Sequence, residues 1–368
     1  MNGAIVSLVF QKMNNKKRIM IMAGGTGGHV FPAIAIAERL RKEGNEILWL
    51  GTHGRMEEQL VPKYGFPLEF IEVKGIRRNG LMAKLRAPFM ILRAILEALK
   101  VINKFKPDVV LGMGGYASGP GGVAAFLKRI PIVLHEQNAA AGLTNRLLFK
   151  ISKVVMLGFP GAFSGDKVKL VGNPIREDII ALHNRKRDFA HEDLNIAVVG
   201  GSLGAQALNE LVPRALKQCK NCHIKVTHQC GKNNEESVKA AYAQAGFKYT
   251  VNEFISDMQS LYAQNDLIIC RAGALTVAET AASGIPAIFV PLPSAVDDHQ
   301  TKNAKFMEKC QAALVCPQHS LNAEKLSEII DGLNNDRQKL AFMSANAYAN
   351  AVLDAASKAC DIIIKASK

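Results

Sequence analysis

Ala23-Gly24-Gly25-Thr26-Gly27-Gly28-His29-Val30 stands between an apolar run, Ile19-Met20-Ile21-Met22, and a stretch patterned as a helix, Pro32-Ala33-Ile34-Ala35-Ile36-Ala37-Glu38 with Leu40. Several glycines and a histidine therefore sit where a buried strand hands over to a helix N-terminus. Glycine lets backbone N–H groups come close to an anion. The unsatisfied N–H groups and positive dipole end of the helix favour a phosphate as the guest. The loop is neither of the two common phosphate fingerprints. It lacks the lysine of GxxxxGK[ST], and Gly25-Thr26-Gly27-Gly28-His29-Val30 ends in Val where GxGxxG requires Gly or Ala. His29 admits two readings: a residue that caps or packs, and a titratable group held at a phosphate loop.

Outward from this loop, apolar runs at 47–50, 68–73, 109–111, 132–135 and 154–157 alternate with helical patterns at 88–105, 120–128 and 143–150. That rhythm predicts βα units and a parallel sheet. The register restarts near Asn173-Pro174, and a charged stretch follows at 185–193. Residues 196–199 then lead into Gly200-Gly201-Ser202-Leu203-Gly204-Ala205, repeating the order strand, double glycine, hydroxyl residue, helix. The expected architecture is α/β: two doubly wound, Rossmann-like domains facing a cleft, with ligands at the carboxyl ends of the strands. The expected division is an extension at 1–16, a first domain at 17–174 and a second at 175–351. The last helical pattern, 338–366, is long enough to cross back, so 352–368 is assigned to the first domain.

The chain has 368 residues, with 48% hydrophobic and 21% charged side chains, which describes a globular protein. Its net charge of +14 is unevenly placed: residues 1–170 hold 25 Lys+Arg against 11 Asp+Glu, whereas 171–368 hold 21 of each. The first half is thus expected to face something anionic, namely lipid headgroups, nucleic acid or an acidic substrate. A nucleic-acid surface is disfavoured because the basic region lacks interleaved aromatics for base stacking. All seven cysteines lie in the second half, an odd number that implies no disulfide framework and suits a reducing compartment. The short apolar piece at 4–10 has no positive charge before it and is too short to span a bilayer. A soluble or peripheral protein is expected.

Other motifs are weaker alone. Gly112-Met113-Gly114-Gly115-Tyr116-Ala117 fits GxGxx[GA], with Glu136 at a distance suited to a ribose contact. This admits a nicotinamide reading or a glycine-rich cleft wall. His135-Glu136-Gln137-Asn138 begins like zinc-binding HExxH, but Ala139 stands where the second ligand would be. Asn138 can offer a donor and an acceptor to a sugar hydroxyl. Cys219-Lys220-Asn221-Cys222-His223, with His228 and Cys230 near it, formally matches haem or zinc spacings, yet reads as a helix end before a buried strand. Cys270-Arg271-Ala272-Gly273-Ala274-Leu275-Thr276-Val277-Ala278-Glu279 follows a strand, with a helix starting near Leu275. Its N-terminus can hold a pyrophosphate, and Glu279 one turn in can accept from a ribose diol. Asp297-Asp298-His299-Gln300 reads as a polar helix cap with Gln300 facing the cleft, in preference to a metal cluster.

Taken together, these residues resemble the MurG family of bacterial glycosyltransferases. The resemblance covers nearly the whole chain and rests on MAGGTGGHVFPA (22–33), KPDVVLGMGGY (106–116), SGPGG (118–122), VLHEQN (133–138), AGLTN (141–145), VGNPIR (171–176), VVGGS (198–202), CRAGALTVAE (270–279) and DDHQ (297–300). It implies a GT-B architecture, transfer of N-acetylglucosamine from UDP-GlcNAc to lipid I to give lipid II, no metal or other cofactor, and a peripheral position on the cytoplasmic face of the bacterial inner membrane. Other cell-wall enzymes are implied as partners. By the resemblance, Thr26, Gly27 and Gly28 line the donor–acceptor cleft and Asn138 contacts the sugar. Arg176 and Ser202 serve the diphosphate, and Ile255 borders uracil through its backbone. Ala274, Leu275, Thr276, Val277 and Ala278 form the helix N-terminus at the phosphates. Glu279 holds the ribose, and Gln300 reads the GlcNAc hydroxyls. The acceptor 4-hydroxyl must lose a proton as it attacks, and His29 is the best-placed general base by residue type and location. Two positions depart from the family: Leu203 where Gln is usual, and Ala139 where Gly commonly follows HEQN. A relative of the same fold, such as a UDP-GlcNAc 2-epimerase or a lipid glucosyltransferase, is the alternative.

Residues 74–93 carry Lys74, Arg77, Arg78, Lys84, Arg86 and Arg93 with no acid, interspersed with Ile76, Leu81, Met82, Leu85 and Phe89. Pro88 is expected to start a helix, which leaves 75–87 as a surface loop or short amphipathic turn. Leu92, Leu96 and Leu99 are expected to bury a core face. The loop is the expected contact with an anionic membrane surface.

Overall fold

The structure, a computed structural model, describes residues 16–73, 81–183, 185–201, 204–220 and 223–367. The chain divides into two units. One takes in the described residues up to Arg176 together with those from Asp354 onward; the other is Glu177–Leu353.

The N-terminal unit begins with β1 (Arg18–Met22), α1 (Gly27–Lys42), β2 (Glu46–Thr52), α2 (Met56–Leu60) and β3 (Leu68–Ile71). It continues with α3 (Leu81–Phe105), β4 (Val109–Gly112), α4 (Ser118–Leu127), β5 (Ile132–Glu136), α5 (Leu143–Phe149), β6 (Val154–Leu157) and β7 (Val168–Leu170). The sheet runs β3-β2-β1-β4-β5-β6-β7, every pair parallel. Both faces are covered, so β1 is apolar and buried from Ile19 to Met22 after its opening Arg18. Ile19 and Ile21 pack with Val30, Ala33 and Ala37 of α1, whereas Met20 and Met22 pack with Ala94 and Ala98 of α3 and with Ala124 of α4.

The C-terminal unit holds α6 (Glu177–Ile180), β8 (Leu194–Val199), α7 (Gln206–Leu216), β9 (Ile224–Gln229), α8 (Glu235–Tyr242), β10 (Lys248–Asn252), α9 (Met258–Gln264), β11 (Leu267–Cys270) and α10 (Ala274–Ser283). Then come β12 (Ala287–Phe289), α11 (His299–Lys309), β13 (Ala313–Val315), α12 (Ala323–Asn335) and α13 (Arg337–Ala349). Its parallel sheet runs β10-β9-β8-β11-β12-β13, which repeats the order of the first sheet. Doubly wound topology therefore occurs twice. In each sheet the winding reverses beside the first strand, between β1 and β4 and between β8 and β11, and ligands bind such sheets at that switch point.

Three local expectations are corrected. Residues 81–87 are helical and not a loop: α3 starts at Leu81 and takes Pro88 inside it, while 75–80 lie outside the described residues. The proline removes one helical hydrogen bond, but the remaining apolar contacts hold the helix. The buried stripe of α3 is Ala94, Ala98 and Ile102, while Leu92 and Leu96 are exposed. Residues 338–366 are not one helix, because the helical pattern breaks at 350–354 between α13 and α14 (Ala355–Ala366). α14 packs on α1, where Ala359, Cys360 and Ile363 join the N-terminal core.

Candidate active site

The glycine loop after β1 meets the glycine loop after β4. Met113 N–H donates to Met22 O at 2.9 Å, and Ser118 Oγ lies 2.7 Å from both Met22 O and Gly114 O. Gly115 is left-handed at φ +86°, and a Cβ there would fall on the Gly24 backbone. A side chain is thus barred by backbone strain and by contact together. The His29 imidazole lies over Gly114, where a Cβ would come within 3.0 Å of the ring. Thr26 and Gly28 are exposed, and Gly27 and His29 half-buried, at the start of α1. Thr26 is the N-cap and makes no side-chain cap; its carbonyl accepts from His29 and Val30 N–H, so the N–H groups of Gly27 and Gly28 precede the helical ladder.

A residue that the sequence did not single out anchors this loop from behind. Glu57 of α2 is fully buried, and its Oε2 accepts from Gly25 N–H at 2.8 Å. Its Oε1 accepts from Thr52 N–H at 3.1 Å and Thr52 Oγ1 at 2.9 Å. A side chain at Gly24 would collide with this carboxylate, so the glycine makes room for it. Next to Glu57, Met56 packs near Gly27, and the Arg55 guanidinium lies 5.2 Å from the centroid of the Tyr116 ring. Arg176 lies 5.9 Å from the Phe31 ring, and Phe31 in turn packs against Gly27.

Asn138 follows β5, and its backbone N–H and side-chain amide both donate to Glu136 Oε1, at 3.2 and 3.3 Å. Glu136 also accepts from Gly142 N–H and Asn145 Nδ2, at 3.0 and 2.9 Å, and is only 2% exposed. It therefore shapes its own loop, and the ribose contact considered for it does not fit. His135 is buried against Gly172 O at 3.0 Å, and burial pushes its pKa down to about 4.

In the C-terminal unit, Gly200 and Gly201 follow β8; Ser202 and Leu203 lie outside the described residues. After β11, Gly273 is the N-cap of α10 and provides no side-chain cap. The N–H groups of Ala274, Leu275 and Thr276 form the open end of the helix, whereas Val277 N–H donates to Gly273 O at 3.0 Å and its side chain enters the core. Ala278 lies further inside α10. Glu279 is half-buried, and the fully buried Tyr262 donates its hydroxyl to Glu279 Oε2 at 2.9 Å. Ile255 lies half-buried in the loop after β10, beside the exposed ring of Phe254. Gln300 is the second residue of α11, and its Oε1 accepts from Leu292 N–H at 2.9 Å, which turns its amide NH2 to other partners. Asp298 occupies the N-cap without a side-chain cap, and both Asp297 and Asp298 are left-handed, at φ +54° and +52°. Among the described residues, no cluster of three His, Cys, Asp or Glu side chains is disposed to hold a metal.

Twin sheets of this order, with glycine loops and open helix ends at their switch points, define an α/β protein built for phosphorylated ligands. Residues 19–157 match the glycosyltransferase family 28 N-terminal domain and residues 195–359 its C-terminal domain. A UDP-N-acetylglucosamine--N-acetylmuramyl-(pentapeptide) pyrophosphoryl-undecaprenol N-acetylglucosamine transferase from Shewanella oneidensis is 52% identical over 351 residues, 95% of this chain and 97% of that protein. The crystal structure of MurG from Acinetobacter baumannii superposes with a TM-score of 0.81 at 43% identity, covering 95% of this chain and 99% of that one. The chain belongs to the MurG family of glycosyltransferases. A UDP-GlcNAc 2-epimerase from Neisseria meningitidis, at 14% identity and a TM-score of 0.67 over 95% of this chain and all of that one, shares the fold.

Proposed function

We propose that this chain transfers N-acetylglucosamine from UDP-N-acetylglucosamine to the muramoyl 4-hydroxyl of undecaprenyl-pyrophosphoryl-MurNAc-pentapeptide, lipid I, to form lipid II. The observation that carries this is the 52% identity, across 95% of the chain, to a relative named for that transfer. The donor sugar is α-linked and the product β-1,4-linked, so one inverting displacement suffices. The 4-hydroxyl oxygen attacks the anomeric carbon, its proton passes to a base, and the bond to the UDP β-phosphate oxygen breaks.

The N-terminal unit supplies the acceptor side. Thr26, Gly27 and Gly28 present the backbone, His29 on its bed of glycine takes the proton, and Asn138 contacts the sugar. A general base of this kind contributes about 10²–10⁴ in rate. The C-terminal unit supplies the donor side. The open end of α10 at Ala274–Thr276 stabilises charge on the departing UDP, Glu279 accepts from the ribose, the Ile255 backbone borders the uracil, and Gln300 reads the GlcNAc hydroxyls. Arg176 and Ser202 serve the diphosphate. No metal is needed for these roles, because N–H dipoles and a guanidinium can hold the leaving charge.

The N-terminal unit also docks on an anionic membrane, on the cytoplasmic face where the acceptor headgroup lies. Phe89 and Leu92 of α3, Phe126 and Leu127 of α4, and Leu143 and Leu147 of α5 are exposed on three successively packed helices. Lys128, Arg129 and Arg146 are exposed among them. Apolar side chains flanked by cations suit a headgroup interface. Arg93 does not contribute its charge, since it pairs with Glu72 and Glu97, both at 2.9 Å. Residues 74–80 lie outside the described residues, and no helix among the described residues is long and apolar enough to cross a membrane.

The test is UDP release from UDP-GlcNAc with and without a lipid I analogue. Acceptor-dependent release supports the reading; acceptor-independent formation of an epimerised nucleotide sugar refutes it.

A further inference from the structure

Glu279 is the residue to which the ribose of the donor is assigned above, and the inference here rests on that assignment. A carboxylate that must take two adjacent hydroxyls needs its plane fixed, because a Glu side chain has freely rotating bonds that cost entropy to arrest. The fixing group is on the neighbouring helix. Tyr262 of α9 is fully buried, and its hydroxyl donates to Glu279 Oε2 at 2.9 Å. α9 packs directly on α10, so a rigid ring reaches from one helix to a half-buried carboxylate on the other.

The two helices are themselves locked together at their C-terminal ends. The Arg187 guanidinium donates from Nη2 to Tyr262 O, from Nη1 to Asn265 O at 2.7 Å and from Nε to Ser283 O at 3.0 Å. Ser283 is the last residue of α10 and Asn265 directly follows α9. One cation thus satisfies the terminal carbonyls of both helices and fixes the offset at which Tyr262 meets Glu279.

We infer that Tyr262, held by Arg187, is a positioning residue that orients the Glu279 carboxylate toward the ribose hydroxyls of a uridine nucleotide and so sets discrimination between ribo- and deoxyribonucleotides. Tyr262 touches no ligand; it acts through Glu279. Removing its hydroxyl takes away the Tyr262 anchor at Oε2, which weakens hydrogen bonds to the sugar hydroxyls and leaves contacts to uracil and phosphate intact.

The experiment is calorimetric titration of UDP, 2′-deoxy-UDP and 3′-deoxy-UDP into wild type, Tyr262→Phe, Glu279→Ala and the double variant, each checked for folding by thermal melting. Wild type is expected to prefer UDP over the deoxy nucleotides by about tenfold or more, the value of a hydrogen bond to a charged group. In Tyr262→Phe the preference should shrink at least about threefold, with affinity for the deoxy nucleotides nearly unchanged, and in the Glu279→Ala background the same substitution should add nothing. Equal weakening for all three nucleotides, or an undiminished preference, overturns the positioning role and leaves Tyr262 as core packing. If wild type itself binds the three nucleotides alike, the ribose assignment of Glu279 fails, and the inference falls with it.

Discussion

Glu57 offers the sharpest perturbation of the first glycine loop. Its buried carboxylate accepts from Gly25 N–H, Thr52 N–H and Thr52 Oγ1 at 2.8–3.1 Å. Truncation to Ala orphans all three donors, each worth about 1–3 kcal/mol when buried unsatisfied. Two effects offset part of this: the buried charge no longer has to be desolvated, and water can fill the vacated polar volume. A net loss of about 2–4 kcal/mol follows, or about 4–16 °C in Tm for a unit of this size, at 2–4 °C per kcal/mol. Glu57→Gln is more telling. Its remaining carbonyl oxygen can keep both Thr52 donors, which places the NH2 against Gly25 N–H and releases only the loop. Stability should fall by about 1–2 kcal/mol, while turnover falls about tenfold or more, since a glycine loop displaced by a fraction of an ångström no longer presents its N–H groups. Steady-state kinetics with donor and acceptor varied separately, beside urea unfolding, reads both quantities. A Gln variant with wild-type kcat and wild-type acceptor KM would refute the claim that Glu57 holds the loop for catalysis.

Four further outcomes are expected. His29→Ala should lower turnover about 10²–10⁴-fold and leave UDP affinity nearly intact; near-wild-type turnover would leave His29 a packing residue. Glu279→Ala should weaken UDP and UDP-GlcNAc alike, whereas Gln300→Ala should weaken only UDP-GlcNAc, and equal losses for both ligands in the Gln300 variant would show that it does not read the sugar. His135 and His228, both held down to about 4 by burial, stay neutral in the folded chain while the unfolded chain protonates near pH 6.5. Stability is thus full above that pH and is lost as the pH falls toward 4, by about 1.4 kcal/mol per pH unit for each group; a urea midpoint that does not drop between pH 7 and pH 5 would contradict this. Replacing Phe89 and Leu92 by Ser should reduce binding to anionic liposomes while UDP affinity survives, and unchanged co-sedimentation would place the membrane face elsewhere.

The doubly wound sheets were legible because parallel strands buried on both faces leave continuous apolar runs, as Ile19–Met22 does, and a glycine cluster directly after such a run marks the strand's carboxyl end. His29 and the open end of α10 were legible for the same reason, since their positions follow from where the strands stop. Interactions between distant segments were not. Glu57 in a run of polar residues looks like any solvated first-turn acid, and only its tertiary position opposite Gly25 shows why it is buried. Tyr262 likewise reads as an ordinary apolar helix residue until α9 is set beside α10. Pro88 points to a helix start because proline is favoured in a first turn, yet α3 begins seven residues earlier at Leu81, and its core contacts, through Ala94, Ala98 and Ile102, lie beyond the proline. The break at 350–354 carries no glycine or proline; it arises because α14 contributes its apolar face to the other unit's core.

The central claim is a defined bond made by this chain. Incubation with UDP-GlcNAc and a lipid I analogue, followed by proton NMR of the purified disaccharide, reads that bond directly. The account predicts a single GlcNAc joined to the muramoyl 4-oxygen, with the large anomeric coupling of a β-glycoside and one UDP released per sugar transferred. An α-anomer, a linkage to another hydroxyl, or UDP release without a disaccharide product would contradict it.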